Sequence, residues 1–261
     1  MSTVLGVAAA QIAVGADIDI NMATILQGMA TCAAQGADLC VFPEAALTGY
    51  SPTLRRSRPA SDGPLVQQAL EAIAVAARQH HMGVVVGAEA WHEGAWHNRL
   101  LAYGREGELL AQYDKVHLTR QDVGYYRAGN ATPVFRFQGV ICGLQICYDA
   151  RFPEGYRALL AQGVQVVLQG FYGAGSDAWK VPVLGAHLRS RAAESGCFVV
   201  AANVAGPKQI VVSQIVDPLG LLLAEARPDA VDLIRAELDM ARIAQSEIRA
   251  DWCSRFSHRI P

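Results

Sequence analysis

The stretch Ile141-Cys-Gly-Leu-Gln-Ile-Cys147 is a short apolar run that ends on a thiol. A run of this length and composition reads as a strand buried on both faces. Just upstream, Pro133 to Phe137 reads as a second strand, paired with Val140 to Ile146 around Gln138-Gly139. Just downstream, Pro153 to Gln162 is predicted helical with proline near its start, and Val164 to Leu168 is a β-rich core strand. Paired strands that continue through a helix into another strand imply a mixed sheet with a helix covering it.

The same alternation extends outward in both directions. Val4 to Ile12, Asp38 to Phe42 and Gly83 to Glu89 read as strands. Between them, Asn21 to Gly36 and Leu65 to His81 carry apolar residues at helical spacing. Asn98 to Tyr103, the turn Gly104-Arg-Glu-Gly107 and Glu108 to Asp114 predict an antiparallel hairpin. Toward the end come a long helix over 177–195 and strands over Cys197 to Asn203, Gln209 to Val216, Gly220 to Glu225 and Val231 to Leu238, then a final helix and an irregular tail. No linker, repeat or low-complexity segment interrupts the 261 residues, so residues 1–261 are read as a single domain.

Composition narrows the possible functions. Apolar residues make up 52% and charged residues 18%, against about 25% charged in an ordinary soluble domain, which excludes a disordered chain. A formal net charge of −2 supplies no basic field for a phosphate backbone, so no nucleic-acid partner is expected. No apolar run reaches the ~20 residues that span a bilayer. The start lacks the basic leader of a signal peptide. Cys32, Cys40, Cys142, Cys147, Cys197 and Cys253 form no CxxC pair and sit mostly in apolar segments, which suggests reduced thiols in a cytoplasmic protein.

Three segments place a reactive side chain just past an apolar strand: Leu39-Cys-Val-Phe-Pro-Glu44, Leu110-Ala-Gln-Tyr-Asp-Lys115 and the stretch ending at Cys147. Sites in α/β sheets gather at the carboxyl ends of strands, so these three can converge. A carboxylate that takes a thiol proton, a thiolate that attacks and an ammonium that stabilises developing charge form a complete set. Each residue also has a plain reading. Cys147 can be a buried small hydrophobe, Glu44 a capping carboxylate and Lys115 a solvated charge. Spacing alone leaves both readings open.

Resemblance decides between them. Phe42-Pro-Glu-Ala-Ala-Leu-Thr-Gly-Tyr50, Tyr113-Asp-Lys-Val-His-Leu118 and Gly143-Leu-Gln-Ile-Cys-Tyr-Asp-Ala-Arg-Phe-Pro-Glu154 resemble the three signature segments of the nitrilase, or carbon–nitrogen hydrolase, superfamily. The likeness continues through Arg189-Ser-Arg-Ala-Ala-Glu194 and Ser213-Gln-Ile-Val-Asp-Pro-Leu-Gly220, and so covers nearly the whole chain. The resemblance implies a four-layer αββα sandwich, with Glu44 as general base, Lys115 as oxyanion stabiliser, Cys147 as nucleophile and the Tyr148 N–H as a second oxyanion donor. It implies no metal and no organic cofactor. It also implies a homodimer paired through a helix layer, and the helix over 177–195, with Val181, Val183, Leu184, Leu188, Arg189 and Arg191, lies in the matching region.

In one place the chain departs from the family. Asp122-Val-Gly-Tyr-Tyr-Arg-Ala-Gly129 stands where the family commonly has a second glutamate. The shorter Asp122 keeps the charge but withdraws it by one methylene, so its reach to Lys115 is the open question. Phe171 and Tyr172, in the glycine-rich stretch Gly170-Phe-Tyr-Gly-Ala-Gly175, are carried over as substrate-pocket walls. His92 and His97 flank Trp96 in an expected surface loop, and two histidines without a third ligand make no metal site. Arg151 and Glu154 are expected to form a structural ion pair, and His117 to pack against the site wall.

The expected activity is hydrolysis of a small linear carboxamide through a thioester, as in the Nit and ω-amidase-like branch, an EC 3.5.1-type reaction with a small-molecule amide as partner. An N-carbamoyl amidohydrolase using the same triad is the rival among enzymes. A catalytically silent binding relative is the rival outside enzymes, and the intact triad speaks against it.

Overall fold

The computed structural model describes residues 3–252. Strands β1 (Val4–Gln11), β2 (Leu39–Val41), β3 (Gly83–His92), β4 (Ala95–Tyr103) and β5 (Leu109–Asp114) form one sheet, which β12 (Asp232–Asp239) completes in the order β12-β1-β2-β3-β4-β5. The second sheet runs β11-β10-β9-β8-β7-β6, from β6 (Val134–Phe137), β7 (Val140–Ile146), β8 (Val166–Gly170), β9 (Phe198–Ala202), β10 (Gln214–Val216) and β11 (Leu222–Glu225). Among the strands, parallel pairing is confined to β1–β2–β3 and β7–β8–β9, and antiparallel strands flank them.

Helices α1 (Ile18–Ala34), α2 (Ser51–Leu54) and α3 (Gly63–His80) belong to the first half of the chain. Helices α4 (Pro153–Ala161), α5 (Lys180–Ser195) and α6 (Glu247–Asp251) belong to the second. The long ones cover the outer faces of the sheets, giving the expected four layers. Three apolar layers follow from the two-residue period of the strands. Along β1, Leu5, Val7 and Ala9 face the second sheet, while Ala8 and Ala10 face α1, where Ile25 and Met29 are fully buried. Each such large side chain contributes roughly 1.5–3 kcal/mol by leaving water. On the far side, Leu159 of α4 and Leu188 of α5 pack on Val167 and Val199.

Several boundaries differ from the sequence expectation, each for a local reason. Helix α1 begins at Ile18 because the Asp17 carboxylate caps it, accepting from the N–H groups of Asp19 and Ile20 at 2.9 and 3.1 Å. His92 and His97 are not in a loop. They lie on β3 and β4, which continue to a two-residue turn at Glu93 and Gly94, both with positive φ (48° and 76°), the twist that suits a tight hairpin. His97 and Trp96 are buried there. Only Gln214–Val216 of the expected strand over 209–216 is extended in a sheet, because Asn203 draws the Val211 carbonyl aside, its amide donating at 2.5 Å. Helix α5 starts at Lys180, and its Leu184, Leu188 and Arg191 point into the sandwich rather than outward. Arg191 donates to the Ala150 carbonyl at 2.9 Å. Among the described residues Arg151 makes no ion pair with Glu154. Its guanidinium lies over the rings of Tyr148 and Trp179, at 5.9 and 5.4 Å. Cys253 and the irregular tail lie outside the described residues.

Two buried thiols make a stability prediction. Burial pushes Cys142, between the sheets, and Cys197, under α5, up to about 12. In the unfolded chain a thiol ionises near about 8.5. These groups therefore contribute full stability below that pH and lose it as pH rises toward 12. The loss is at most about 1.4 kcal/mol per pH unit for each thiol. Urea midpoints measured from pH 8 to 11 should fall steadily, and Cys142→Ala should shallow that slope. A flat profile across this range would contradict the assignment.

Candidate active site

Three strand ends meet at one end of the sandwich. β2 stops at Val41, and Phe42-Pro43 turn the chain so that Glu44 lies beneath β3 and β8. Two glycines make this turn possible. A Cβ at Gly87 would sit 2.3 Å from the Pro43 carbonyl oxygen, and one at Gly170 would sit 2.8 Å from the Glu44 nitrogen. β5 delivers Lys115, with its N–H bonded to the Asn98 carbonyl at 2.9 Å and the preceding Asp114 gripped bidentately by Arg99 at 2.6 and 2.8 Å. β7 delivers Cys147 at the first position of a 3₁₀ turn over Cys147–Arg151. Its φ of +43° is strained for a non-glycine residue, a feature that clusters at functional sites.

The side chains converge. Lys115 Nζ donates to Glu44 Oε1 at 2.7 Å and pairs with Asp122 Oδ2 at 2.9 Å. Glu44 Oε1 also accepts from Asn98 Nδ2 at 2.6 Å, and Oε2 from the Tyr172 N–H at 2.7 Å. Glu44, Lys115 and Asp122 are each 1% exposed or less, and Cys147 lies half-buried beside Glu44, within reach of the Lys115 charge. The reach of Asp122 is thereby answered. A 3₁₀ turn over Asp122–Gly124 lifts the shorter carboxylate to the ammonium directly. The Tyr50 hydroxyl holds Oδ1 at 2.5 Å, and the Thr119 N–H holds Oδ2 at 2.8 Å.

Electrostatics follow from two carboxylates sharing one ammonium. Burial pushes the Cys147 thiol well up and the Glu44 carboxylate adds to the rise, while Lys115 opposes it only in part. The resting group is a thiol beside a base. Burial alone would lower the Lys115 ammonium, but the carboxylates of Glu44 and Asp122 hold it well above its ordinary range, so it stays charged. A lysine ammonium has three hydrogens. Glu44 and Asp122 take two, which leaves one for a developing oxyanion. The Tyr148 N–H sits in the first turn of the 3₁₀ segment, where backbone donors have no partner within the turn.

Of the two expected pocket walls, the structure brings in one. Tyr172 meets Tyr50 with ring centroids 4.9 Å apart, and its backbone bonds Glu44. Phe171 points the other way along the extended chain and is buried with Leu184 and Val211 under α5. His117 is stacked on Phe152 at 3.9 Å and bonded to Asp149 at 2.8 Å. Sequence reasoning missed Asn98, Tyr50 and Tyr126. Asn98 carried a usable signal, since asparagine is depleted in strands and here sits buried inside an otherwise largely apolar one. Among the described residues no group of three or more His, Cys, Asp or Glu could hold a metal ion, and no helix is long and apolar enough to cross a membrane.

Known proteins resemble this chain in sequence and in fold. A family model described as carbon–nitrogen hydrolase matches residues 6–247. The chain is 33% identical over 237 residues to an (R)-stereoselective amidase of a Pseudomonas species, covering 88% of this chain and 84% of that protein. It is 32% identical over 220 residues to the 2-oxoglutaramate amidase of Bacillus subtilis strain 168, covering 80% and 81%. Among solved structures, a variant of the amidase from Nesterenkonia sp. AN1 matches with a TM-score of 0.79 at 26% identity, covering 96% of this chain and 95% of that one. That structure shows the acetamide moiety of fluoroacetamide added covalently at its active-site cysteine.

Proposed function

The chain belongs to the carbon–nitrogen hydrolase family, and from that premise we propose that it hydrolyses small linear carboxamides through a thioester on Cys147. One observation carries the reading: a base and a charged ammonium with an unclaimed hydrogen are buried side by side, and a half-buried thiol stands next to them.

The geometry gives each group a step. Cys147 Sγ attacks the amide carbon while its proton passes to Glu44, so no free thiolate accumulates in this negatively charged site. The carbonyl oxygen becomes an oxyanion, stabilised by Lys115 Nζ and the Tyr148 N–H. The intermediate collapses as Glu44 returns the proton to the nitrogen, and ammonia or an amine leaves. Glu44 then deprotonates a water, which attacks the thioester and releases the acid and the thiol. Asp122 fixes Lys115 from the side opposite Glu44. The close rings of Tyr50 and Tyr172 favour a short acyl chain.

Matched amide, N-carbamoyl and nitrile compounds assayed under one condition test the substrate class. The amide should be the fastest. A nitrile hydrolysed faster than its amide would overturn the proposal, and a preferred carbamoyl compound would replace carboxamides with carbamoyl substrates.

We further propose that the protein pairs through the α5 side. Leu219 and Leu221 are 42% and 51% exposed in the segment whose Gly220 carbonyl accepts from Arg189 of α5, and Val181 on the same helix is 50% exposed. Sedimentation at micromolar concentration should show a species of twice the chain mass, and a monomer alone would refute it.

A further inference from the structure

A further buried carboxylate lies behind the site and is used by none of the steps above. Glu89, on β3, is fully buried. Its Oε1 accepts from the Tyr126 hydroxyl at 2.5 Å and from the Ser51 N–H at 2.9 Å, and its Oε2 from Arg58 Nε at 3.0 Å. Its own N–H donates to Thr48 Oγ1 at 3.0 Å, and Arg58 donates to the Thr48 carbonyl at 2.5 Å.

These partners come from two loops that carry site residues. Thr48 and Ser51 bracket Tyr50, whose hydroxyl holds Asp122. Tyr126 closes the 3₁₀ turn that begins at Asp122, its N–H bonding the Asp122 carbonyl at 2.9 Å. The rings of Tyr50 and Tyr126 lie 6.2 Å apart, and Lys115 Nζ stands 5.8 Å from the Tyr50 ring centroid. Asp122 is thus approached from both sides by residues anchored on Glu89.

A buried ion pair is poor evidence of stability, because desolvation can exceed the attraction. Fixing geometry is the better account of this one. We propose that Glu89, held by Arg58, is a positioning residue for the amide hydrolysis described above. It locks the Tyr50 and Tyr126 loops so that Asp122 meets Lys115 and aims the ammonium at the oxyanion. This rests on the proposed amidase reading.

The test measures kcat and KM for the best amide in the native protein, Glu89→Gln, Tyr126→Phe, Asp122→Asn and the Glu89→Gln/Asp122→Asn double variant, with a crystal structure of Glu89→Gln. Misplacing a catalytic group by about 1 Å costs up to about 100-fold in rate. Glu89→Gln should therefore lower kcat about 10- to 100-fold, with KM changed less than about threefold. Tyr126→Phe, which removes a single donor and keeps the ring, should move kcat the same way by a smaller factor. The double variant should be no slower than Asp122→Asn alone, since both act through one ammonium. In the crystal the Tyr50 hydroxyl should leave Asp122. A normal kcat in Glu89→Gln and Tyr126→Phe, even with lowered melting temperatures, would overturn the proposal. So would multiplicative losses in the double variant. If the native protein turns over no amide, the amidase reading fails separately, and an unmoved Tyr50 in the variant crystal would then sink the positioning role.

Discussion

Cys147→Ala is expected to lose at least about four orders of magnitude in amide hydrolysis while remaining folded. No other described thiol can take over. Cys142 lies on the same strand, but its side chain is sealed between the two sheets, and Cys32, Cys40 and Cys197 are fully buried in the layers beneath the helices. Alanine tolerates the +43° φ no worse than cysteine, so stability should change by only about 1 kcal/mol. Glu44→Gln should follow with a loss of about 10²–10⁴, the usual contribution of a positioned proton-transfer group. Cys142→Ala should keep most of its activity. Circular dichroism and gel filtration would verify folding, and ammonia release would measure turnover. Substantial hydrolysis by folded Cys147→Ala would end the thioester mechanism.

The fold was legible wherever both faces of an element are buried, because there composition alone marks a strand. β7, β8 and β9 are such runs, and they carry Cys147 and the close approach at Gly170. What escaped was set by single side chains acting over distance. Nothing in the residues 209–213 announces that Asn203 will pull them out of the sheet. The Glu93-Gly94 turn escaped because its first residue is neither asparagine nor aspartate. At the site, the three signature segments located Glu44, Lys115 and Cys147. The chemistry around them came from residues with no motif of their own: Asn98 on Glu44, Tyr50 on Asp122 and Glu89 beneath both loops. Asp122 shows the limit most clearly. Side-chain length leaves its reach to Lys115 open, whereas the turn of its own backbone closes the gap.

Removing the ammonium should be as damaging as removing the thiol, and in a way that separates its two roles. In Lys115→Met, Glu44 and Asp122 remain buried in the same space without the cation that each contacts, at 2.7 and 2.9 Å. Breaking a buried pair on one side typically costs about 3–5 kcal/mol, because the charge left behind is uncompensated. The repulsion requires both carboxylates to be ionised, so proton uptake as pH falls should relieve part of the loss. The deficit relative to the native protein should accordingly be larger at pH 8 than at pH 5. Lys115→Met/Asp122→Asn takes away one of the opposing charges and should recover much of the stability at pH 8. It should recover no activity, since no ammonium remains to meet the oxyanion. Urea midpoints of the native protein and both variants at the two pH values give the first comparison, and ammonia release gives the second. A double variant that regains hydrolysis would show that Lys115 serves only to neutralise its neighbours, and the oxyanion role would have to move to the backbone of Tyr148.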